Sequence, residues 1–364
     1  MRVLHIETGM NLYGGALQVF YLLRGLHEQG VENLLVCSQG SAIAKEAKPF
    51  ANVIEIPMRG DVDILFGWRL LQTLRRERPD LVHAHSRRGA DLWGAIAARW
   101  AGIPALVTRR VDNPEPGWLA RLKYRQFAHV VTISNGIRDV LLAEGVPADH
   151  VTCIHSAVDI DTWQGKEDRE WLNREFNLPP GGKVVAVIAQ LIERKGHRFL
   201  FEALSKILEQ VPNAYVLILG KGPLETELKE LCKSLQIESH VIFAGFRDDL
   251  QRIMPNLDLV VHPALMEGLG VSLLQAAACG VPIVAGRAGG IPEIVEDGGN
   301  GYLVEPGNAD VLAGPITELL SNPETRKRMG ESGQRIVHDR FSINAMVSGY
   351  LKFYQTKRPA KIVE

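Results

Sequence analysis

The densest group of chemically useful residues runs Met266-Glu267-Gly268-Leu269-Gly270-Val271-Ser272-Leu273-Leu274-Gln275. An apolar stretch closes at Pro263, a glycine-rich turn carries Glu267, and helical periodicity begins near Val271. Amides at such a helix start lack intrahelical partners, and the helix dipole favours an anion there. Open amides at that helix N-terminus can therefore cradle a phosphate or sugar hydroxyls, with the Glu267 carboxylate beside them. Gln275 lies about one turn further on and reaches the same ligand. A buried structural carboxylate is the competing account of Glu267.

Other groups share this design of a strand end followed by a turn. Arg194-Lys195-Gly196 follows an apolar run and leads into a helix, a setting that suits a phosphate or diphosphate. Gly220-Lys221-Gly222-Pro223 follows the next run, and Gly289-Gly290-Ile291-Pro292-Glu293 a later one. In the first half, Gly14-Gly15 opens the first helix, either as an anion-approaching turn or as a plain tight turn. It is not the G-x-G-x-x-G dinucleotide fingerprint, and Cys37-Ser38 stands where that motif needs an acidic residue. A nicotinamide dehydrogenase is thereby disfavoured. His83 and His85 share one face of a strand. Two such histidines could ligate a metal, but the sequence shows no third ligand nearby. Hydrogen-bonded strand-end histidines or ligand-facing groups are the other readings. Arg87-Arg88 and Arg109-Arg110 both follow strands and would suit an acidic or phosphorylated acceptor.

These residues need strands to deliver them. Val3–Ile6, Leu34–Val36, Val53–Ile56, Leu81–His85, Ala105–Thr108 and Val130–Ser134 read as strands. Helices such as Ala16–Gln29, Ile64–Arg78 and Ala90–Trp100 lie between them. Such alternation predicts a parallel sheet covered on both faces. The polar segment 159–182 ends in Pro179-Pro180-Gly181-Gly182, punctuation suited to a boundary. Alternation then restarts, with strands at Val184–Ala189, Ala214–Leu219, Val241–Ala244, Leu257–Val261 and Pro282–Ala285. The expected fold is α/β: two Rossmann-like parallel-sheet domains facing across a cleft, with ligands at the carboxyl ends of the strands. Residues 1–165 form the first domain and 166–340 the second.

Composition bounds the rest. The chain has 364 residues, 46% of them hydrophobic and 23% charged, with a formal net charge of −1. That balance describes a folded protein of two domains and predicts no nucleic-acid partner. Cys37, Cys153, Cys232 and Cys279 form no C-x-x-C pair, which excludes zinc-finger and thioredoxin spacing. No apolar run is long enough to span a bilayer, and the apolar part of the N-terminus is cut short by Gly9. The expected location is cytoplasmic, and peripheral at the inner membrane face if the basic stretch Trp118–Phe127 is interfacial. In that stretch Trp118, Leu119, Leu122 and Phe127 alternate with Arg121, Lys123 and Arg125. It reads either as a patch for anionic lipid or as an ordinary helix with a solvated basic face.

Taken together, these markers resemble the retaining glycosyltransferases of family 4, the group 1 glycosyl transferases of GT-B architecture. The resemblance runs over nearly the whole chain: Gly14-Gly15-Ala16, His83-Ala84-His85, Lys195-Gly196, the Gly220 turn, the Glu267 loop, Cys279-Gly280-Val281-Pro282, the Gly289 turn and Asn300-Gly301-Tyr302-Leu303-Val304. It implies that Lys195 holds the diphosphate of a nucleotide-sugar donor, with Gly15 approaching it, and that Glu267 and the amides of Gly268, Leu269 and Gly270 hold the donor sugar and phosphates. Gln275 falls where the family usually carries a glutamate on the ribose, and Gln190 where it carries an arginine. Arg194 is a candidate to replace that charge. Gly222 belongs to a donor-lining turn, and Phe246 lies where the base is flanked. Gly14, His85, Arg109 and Arg110 fall near the acceptor or sugar, Arg110 at the place of a usual histidine. The last helix, 341–358, is expected to return to the first domain.

The function so implied is retaining transfer from a nucleotide sugar to a glycan or lipid-linked acceptor, in bacterial surface polysaccharide or lipopolysaccharide synthesis. No metal or other cofactor is expected. A non-hydrolysing nucleotide-sugar epimerase and a non-catalytic sugar-nucleotide-binding protein are the alternatives.

Overall fold

The structure is a computed structural model and describes residues 1–85 and 89–357. The chain divides into two compact units, one of residues 1–157 with the segment from Ile343, the other of Val158–Ser342. The sequence reading sets the change of domain near residue 165.

The first unit is built on seven strands: β1 (Arg2–Glu7), β2 (Glu32–Ser38), β3 (Asn52–Ile56), β4 (Leu81–Ala84), β5 (Ala105–Arg109), β6 (His129–Thr132) and β7 (Val151–Cys153). All pairs are parallel, in the order β3-β2-β1-β4-β5-β6-β7. Parallel neighbours need crossover helices, which cover both faces and make the strands near-continuously apolar. Leu4, Ile6, Val82 and Val107 are buried on one side with Phe66 and Leu70 of the helix Ile64–Glu77. Asp63 starts that helix by accepting from the amides of Leu65 and Phe66. On the other side, the helix Ile343–Lys357 contributes Val347, Tyr350 and Tyr354 to a cluster with Leu22 and Leu26.

The second unit has six strands: β8 (Lys183–Ile188), β9 (Ala214–Leu219), β10 (Val241–Gly245), β11 (Leu259–His262), β12 (Ile283–Gly286) and β13 (Gly301–Val304). They too are all parallel, ordered β10-β9-β8-β11-β12-β13. In each sheet the order reverses beside the first strand. The reversal opens a crevice between β1 and β4 in one unit and between β8 and β11 in the other.

Two edge strands, β7 and β13, are absent from the sequence reading. Each is short, and an edge strand pairs on one side only, so its apolar pattern is weak. Two others end early. β4 stops at Ala84, before His85, and β6 at Thr132. Ser134 caps the next helix by accepting from the Ile137 amide.

Candidate functional sites

In the second unit, Lys195 closes the turn after β8 and Glu267 lies in the loop after β11. The two strands are neighbours, so residues far apart in sequence meet at the crevice. The Lys195 ammonium forms an ion pair with Glu267 Oε2, and both side chains are largely buried. His262, the last residue of β11, places Nε2 2.8 Å from the same oxygen. Burial by itself would raise the Glu267 carboxyl. The hydrogen bond and charge of His262, joined by Lys195, pull it down to about 2. Glu267 is therefore an ionised carboxylate clamped from two sides.

The loops are locked to one another through their backbones. The Leu265 amide donates to the Arg194 carbonyl at 2.8 Å, tying the Glu267 loop to the Lys195 turn. Gly196 has φ +68, and a Cβ there would lie 2.0 Å from the Pro263 carbonyl oxygen. Gly289, at φ +52, similarly touches the Glu267 carbonyl, where a Cβ would come to 1.9 Å. Next to it the Gly290 amide donates to the Glu267 carbonyl at 3.0 Å. Only glycine permits such approach with a left-handed φ. The Gly289 motif thus backs the Glu267 loop from behind.

The remaining second-unit candidates gather at the same strand ends. Gly222 lies in a turn hydrogen-bonded to Leu191, which follows β8. Gln190 is exposed just ahead of it, and Arg194 is half-buried. Phe246 follows β10 and is 63% exposed, an aromatic face unused by the core. Gln275 is half-buried in the helix Val271–Ala278. Gly270 begins that helix in a left-handed conformation, and Leu269 is buried against it. One expectation changes. The Gly268 amide donates to Glu267 Oε1 at 3.1 Å, so it steadies the carboxylate instead of standing open to a ligand. His262 was missing from the sequence reading. Its V-V-H-P setting copies the period-two logic that picked out His83 and His85.

In the first unit, a cavity of about 1000 Å³ opens at the carboxyl ends of β1–β5. Gly15, His85 and Arg110 line it. Gly14, exposed, precedes the helix Gly15–Glu28. The Arg110 side chain packs on Gly15, where a Cβ would stand 3.3 Å from Arg110 Cδ. Burial lowers the Arg110 guanidinium from its usual value.

Arg109 behaves differently from its neighbour. It is clamped by Glu144 at 2.8 Å and donates also to Tyr124 and to the Val111 and Asn113 carbonyls. Its donors are spent inside the unit, so the guanidinium acts as a buried brace, although Arg109 is itself among the residues lining the cavity. Arg87 and Arg88 lie outside the described residues.

His85 and His83 meet a third histidine. His5 Nδ1 lies 2.9 Å from His85 Nε2, and His5, His83 and His85 are all fully buried. The third potential ligand sits on β1, out of sight of any local spacing. The cluster is bonded within itself and to its surroundings. His83 reaches Tyr354 Oη at 2.6 Å and Thr108 Oγ1 at 2.7 Å. Burial drives all three far below the usual histidine range, His5 to about 3.

The basic stretch forms the helix Gly117–Tyr124. Trp118 is 66% exposed and Leu122 47%, with Arg121 and Arg125 also at the surface. Phe127 departs from the expected patch: it is buried in the core. Lys123 pairs with Asp91 and Glu115. Among the described residues no helix is long and apolar enough to cross a membrane.

Comparison with known proteins places both units. Residues 168–336 match the family model of the glycosyl transferases group 1, and residues 13–162 that of Glycosyltransferase Family 4. A lipopolysaccharide core biosynthesis glycosyltransferase, LpsE of Rhizobium meliloti, is 27% identical over 98% of this chain and 100% of its own. A GDP-mannose-dependent alpha-(1-6)-phosphatidylinositol monomannoside mannosyltransferase of Mycolicibacterium smegmatis is 31% identical over 67% of this chain and 68% of its own. Anabaena HepE, solved in complex with UDP, superposes with a TM-score of 0.85 at 22% identity, over 98% of this chain and 100% of its own. That likeness carries the fold, two all-parallel α/β units of GT-B architecture.

Proposed function

We propose, from the premise that this chain belongs to the group 1 glycosyl transferases, that it moves a hexosyl group from a nucleotide sugar to a glycan or lipid-linked acceptor with retention at the anomeric carbon. The observation that carries this reading is the Lys195–Glu267–His262 constellation at the switch point of the second sheet. Ligands of open parallel sheets bind at such crevices. An ammonium carries three donors. One holds Glu267, and the others are available to oxygens of the donor diphosphate. Glu267, fixed as an anion, aims that ammonium and offers its remaining lone pairs to sugar hydroxyls. Arg194 adds charge beside it in place of the family's usual arginine, and Gln190 and Gln275 supply neutral amides for phosphate and ribose. Phe246 provides a face for the base.

In the step itself, the acceptor oxygen bonds to the anomeric carbon as the bond to the diphosphate breaks, and the acceptor proton passes to the leaving phosphate oxygen. No side-chain nucleophile is needed. The protein contributes positioning and fixed charge where negative charge develops. The UDP complex of the Anabaena protein supports a nucleotide donor. The lipopolysaccharide-core and phosphatidylinositol relatives support a surface-glycan or lipid acceptor.

Thermal-shift screening against UDP-, GDP- and ADP-sugars tests the donor. A true donor adds about 2.7 kcal/mol of stability at a hundredfold excess over Kd. NMR of the product then reports the anomeric configuration. Stabilisation by none of these nucleotide sugars, or an inverted product, would end the reading.

A further inference from the structure

The helix Gly117–Tyr124 is not an isolated apolar surface. It is the third of three neighbouring helices, Ile64–Glu77, Ala90–Ala101 and Gly117–Tyr124, that cover one side of the first sheet. Their inner residues, among them Phe66, Leu70, Ala97, Ala98, Ala120 and Tyr124, are buried in a single core cluster. A helix lying on a sheet hides one stripe and is expected to be polar outside it. At the opening turns these helices depart from that rule. Val62, Ile64, Leu65 and Trp68 are all exposed, Ile64 to 71% and Trp68 to 53%. Leu92 is exposed on the second helix, and Trp118, Leu119 and Leu122 on the third. Crossover helices of a parallel sheet begin at the carboxyl ends of its strands, so these opening turns lie along the same edge.

Side-chain contacts join the three helices into one surface. The Trp93 ring lies against Gly67, where a Cβ would come within 2.3 Å of Trp93 Cε3. Lys123 Nζ, on the third helix, pairs with Asp91 on the second at 3.0 Å, and Arg99 donates to Gln126 at 3.3 Å. The face is therefore built before any partner arrives, with no segment left to fold. A contiguous exposed apolar patch of this kind marks an interaction site.

Charge identifies the partner. Arg59, Arg69, Arg121 and Arg125 are exposed around the apolar residues. The neighbouring acids are otherwise engaged. Asp63 caps its own helix, and Asp91 and Glu115 pair with Lys123, which leaves Asp61 as the exposed carboxylate beside the face among the described residues. A second copy of the chain would bring two sets of arginines together across a two-fold axis, and like charges repel. An anionic lipid surface matches both halves of the face. Its headgroups meet the guanidinium groups, and its acyl boundary takes the apolar side chains. Tryptophan favours that boundary, because its ring is apolar while its N–H stays hydrated. We propose that the first unit docks on an anionic bilayer through this three-helix face, with Ile64, Leu65 and Trp68 inserting beside Trp118 and Leu122. The face starts at the rim of the first-unit cavity, since Arg59 and Asp61 line that cavity and Val62 follows them. Docking holds the cavity mouth beside the lipid headgroups. This surface is independent of the transferase reading and stands or falls by itself.

Flotation of the full chain with vesicles tests the proposal, using phosphatidylcholine and phosphatidylglycerol in equal parts against phosphatidylcholine alone. The chain should float with the anionic vesicles, and less so as salt rises. The paired change Leu65→Ser with Trp68→Ala should lower partitioning by about fivefold or more, and so should Trp118→Ala with Leu122→Ser. Arg69→Glu leaves the apolar residues in place; it should also weaken flotation, and it serves if the apolar variants fail to fold. Brominated acyl chains should quench tryptophan emission in the parent and quench it less in Trp68→Phe. Flotation like the parent's in both the Leu65–Trp68 variant and Arg69→Glu would overturn the three-helix face. Equal flotation with phosphatidylcholine alone would overturn the anionic partner. Absence of flotation would overturn the proposal as well. Binding to poly-glutamate would then assign the face to an acidic protein, and self-association abolished by the same variants would assign it to a second copy.

Discussion

Lys195 and Glu267, 72 residues apart in sequence, share one buried ion pair across neighbouring strands. The pair aligns the group proposed to meet the donor sugar with one proposed to meet the diphosphate. Replacing Lys195 by Ala removes the countercharge to the leaving phosphate. Loss of one preorganised electrostatic donor typically lowers kcat by about 10²–10³. Steady-state kinetics on folded Lys195→Ala should show that loss in kcat. Turnover close to the parent's would refute the assignment.

Glu267 links this site to stability. Its carboxyl is held at about 2 in the folded chain, against an ordinary value of 4.5. The folded pKa is the lower one, so its stabilisation is complete above about pH 4.5 and is lost as pH falls towards 2. In Glu267→Gln that dependence vanishes. The Tm gap between parent and variant should narrow by several degrees over this interval, as calorimetry can record. A gap independent of pH would show that the clamp on the carboxylate is not there.

The histidine cluster predicts a second pH dependence, at higher pH. Burial lowers His5, His83 and His85 in the folded state, so their contribution is present above about pH 6.5 and lost as pH falls below it. Each histidine kept neutral costs about 1.4 kcal/mol per pH unit below that point. Tyr354→Phe, which strips the hydroxyl partner from His83, should cost about 1–3 kcal/mol and speed hydrogen exchange in the helix Ile343–Lys357. Unchanged exchange would mean that the helix is held by apolar packing alone.

The same cluster bears on metals. His5 Nδ1 and His85 Nε2 face each other, and His83 spends both of its nitrogens on Tyr354 and Thr108, which leaves it none for a metal. We expect chelation by EDTA to leave both activity and Tm unaltered. A fall in either would direct attention to these three side chains.

At the surface, Trp118, Leu122, Arg121 and Arg125 form an apolar and cationic face on one short helix. We expect sedimentation with anionic vesicles at low salt, reduced severalfold by Trp118→Ala and lost at high salt, where screening removes the cationic share. Equal pelleting with zwitterionic vesicles would exclude the charge-guided reading, and no pelleting would leave an ordinary solvated helix.

By itself the sequence determined the local plan. Apolar runs alternating with helical periods specify parallel α/β units, and turn residues at the ends of those runs mark Lys195, the Glu267 loop, His85 and the Arg110 segment as groups displayed at strand termini. Those signals are short-range: a period of two, a period of 3.6, a glycine where the chain must bend. Tertiary structure alone decided the partners. Lys195 meets Glu267 because β8 and β11 are neighbours, and His5 joins His83 and His85 because β1 lies beside β4. Arg109 and Arg110 are adjacent in sequence and both line the cavity, yet the guanidinium of one is absorbed by Glu144 while the side chain of the other packs on Gly15. Phe127 shares a stretch with Trp118, yet one is core and the other surface. Strand order and the path of a helix are set by packing over the whole unit, so the charge a residue meets, and the role left open to it, could not be read from its neighbours along the chain.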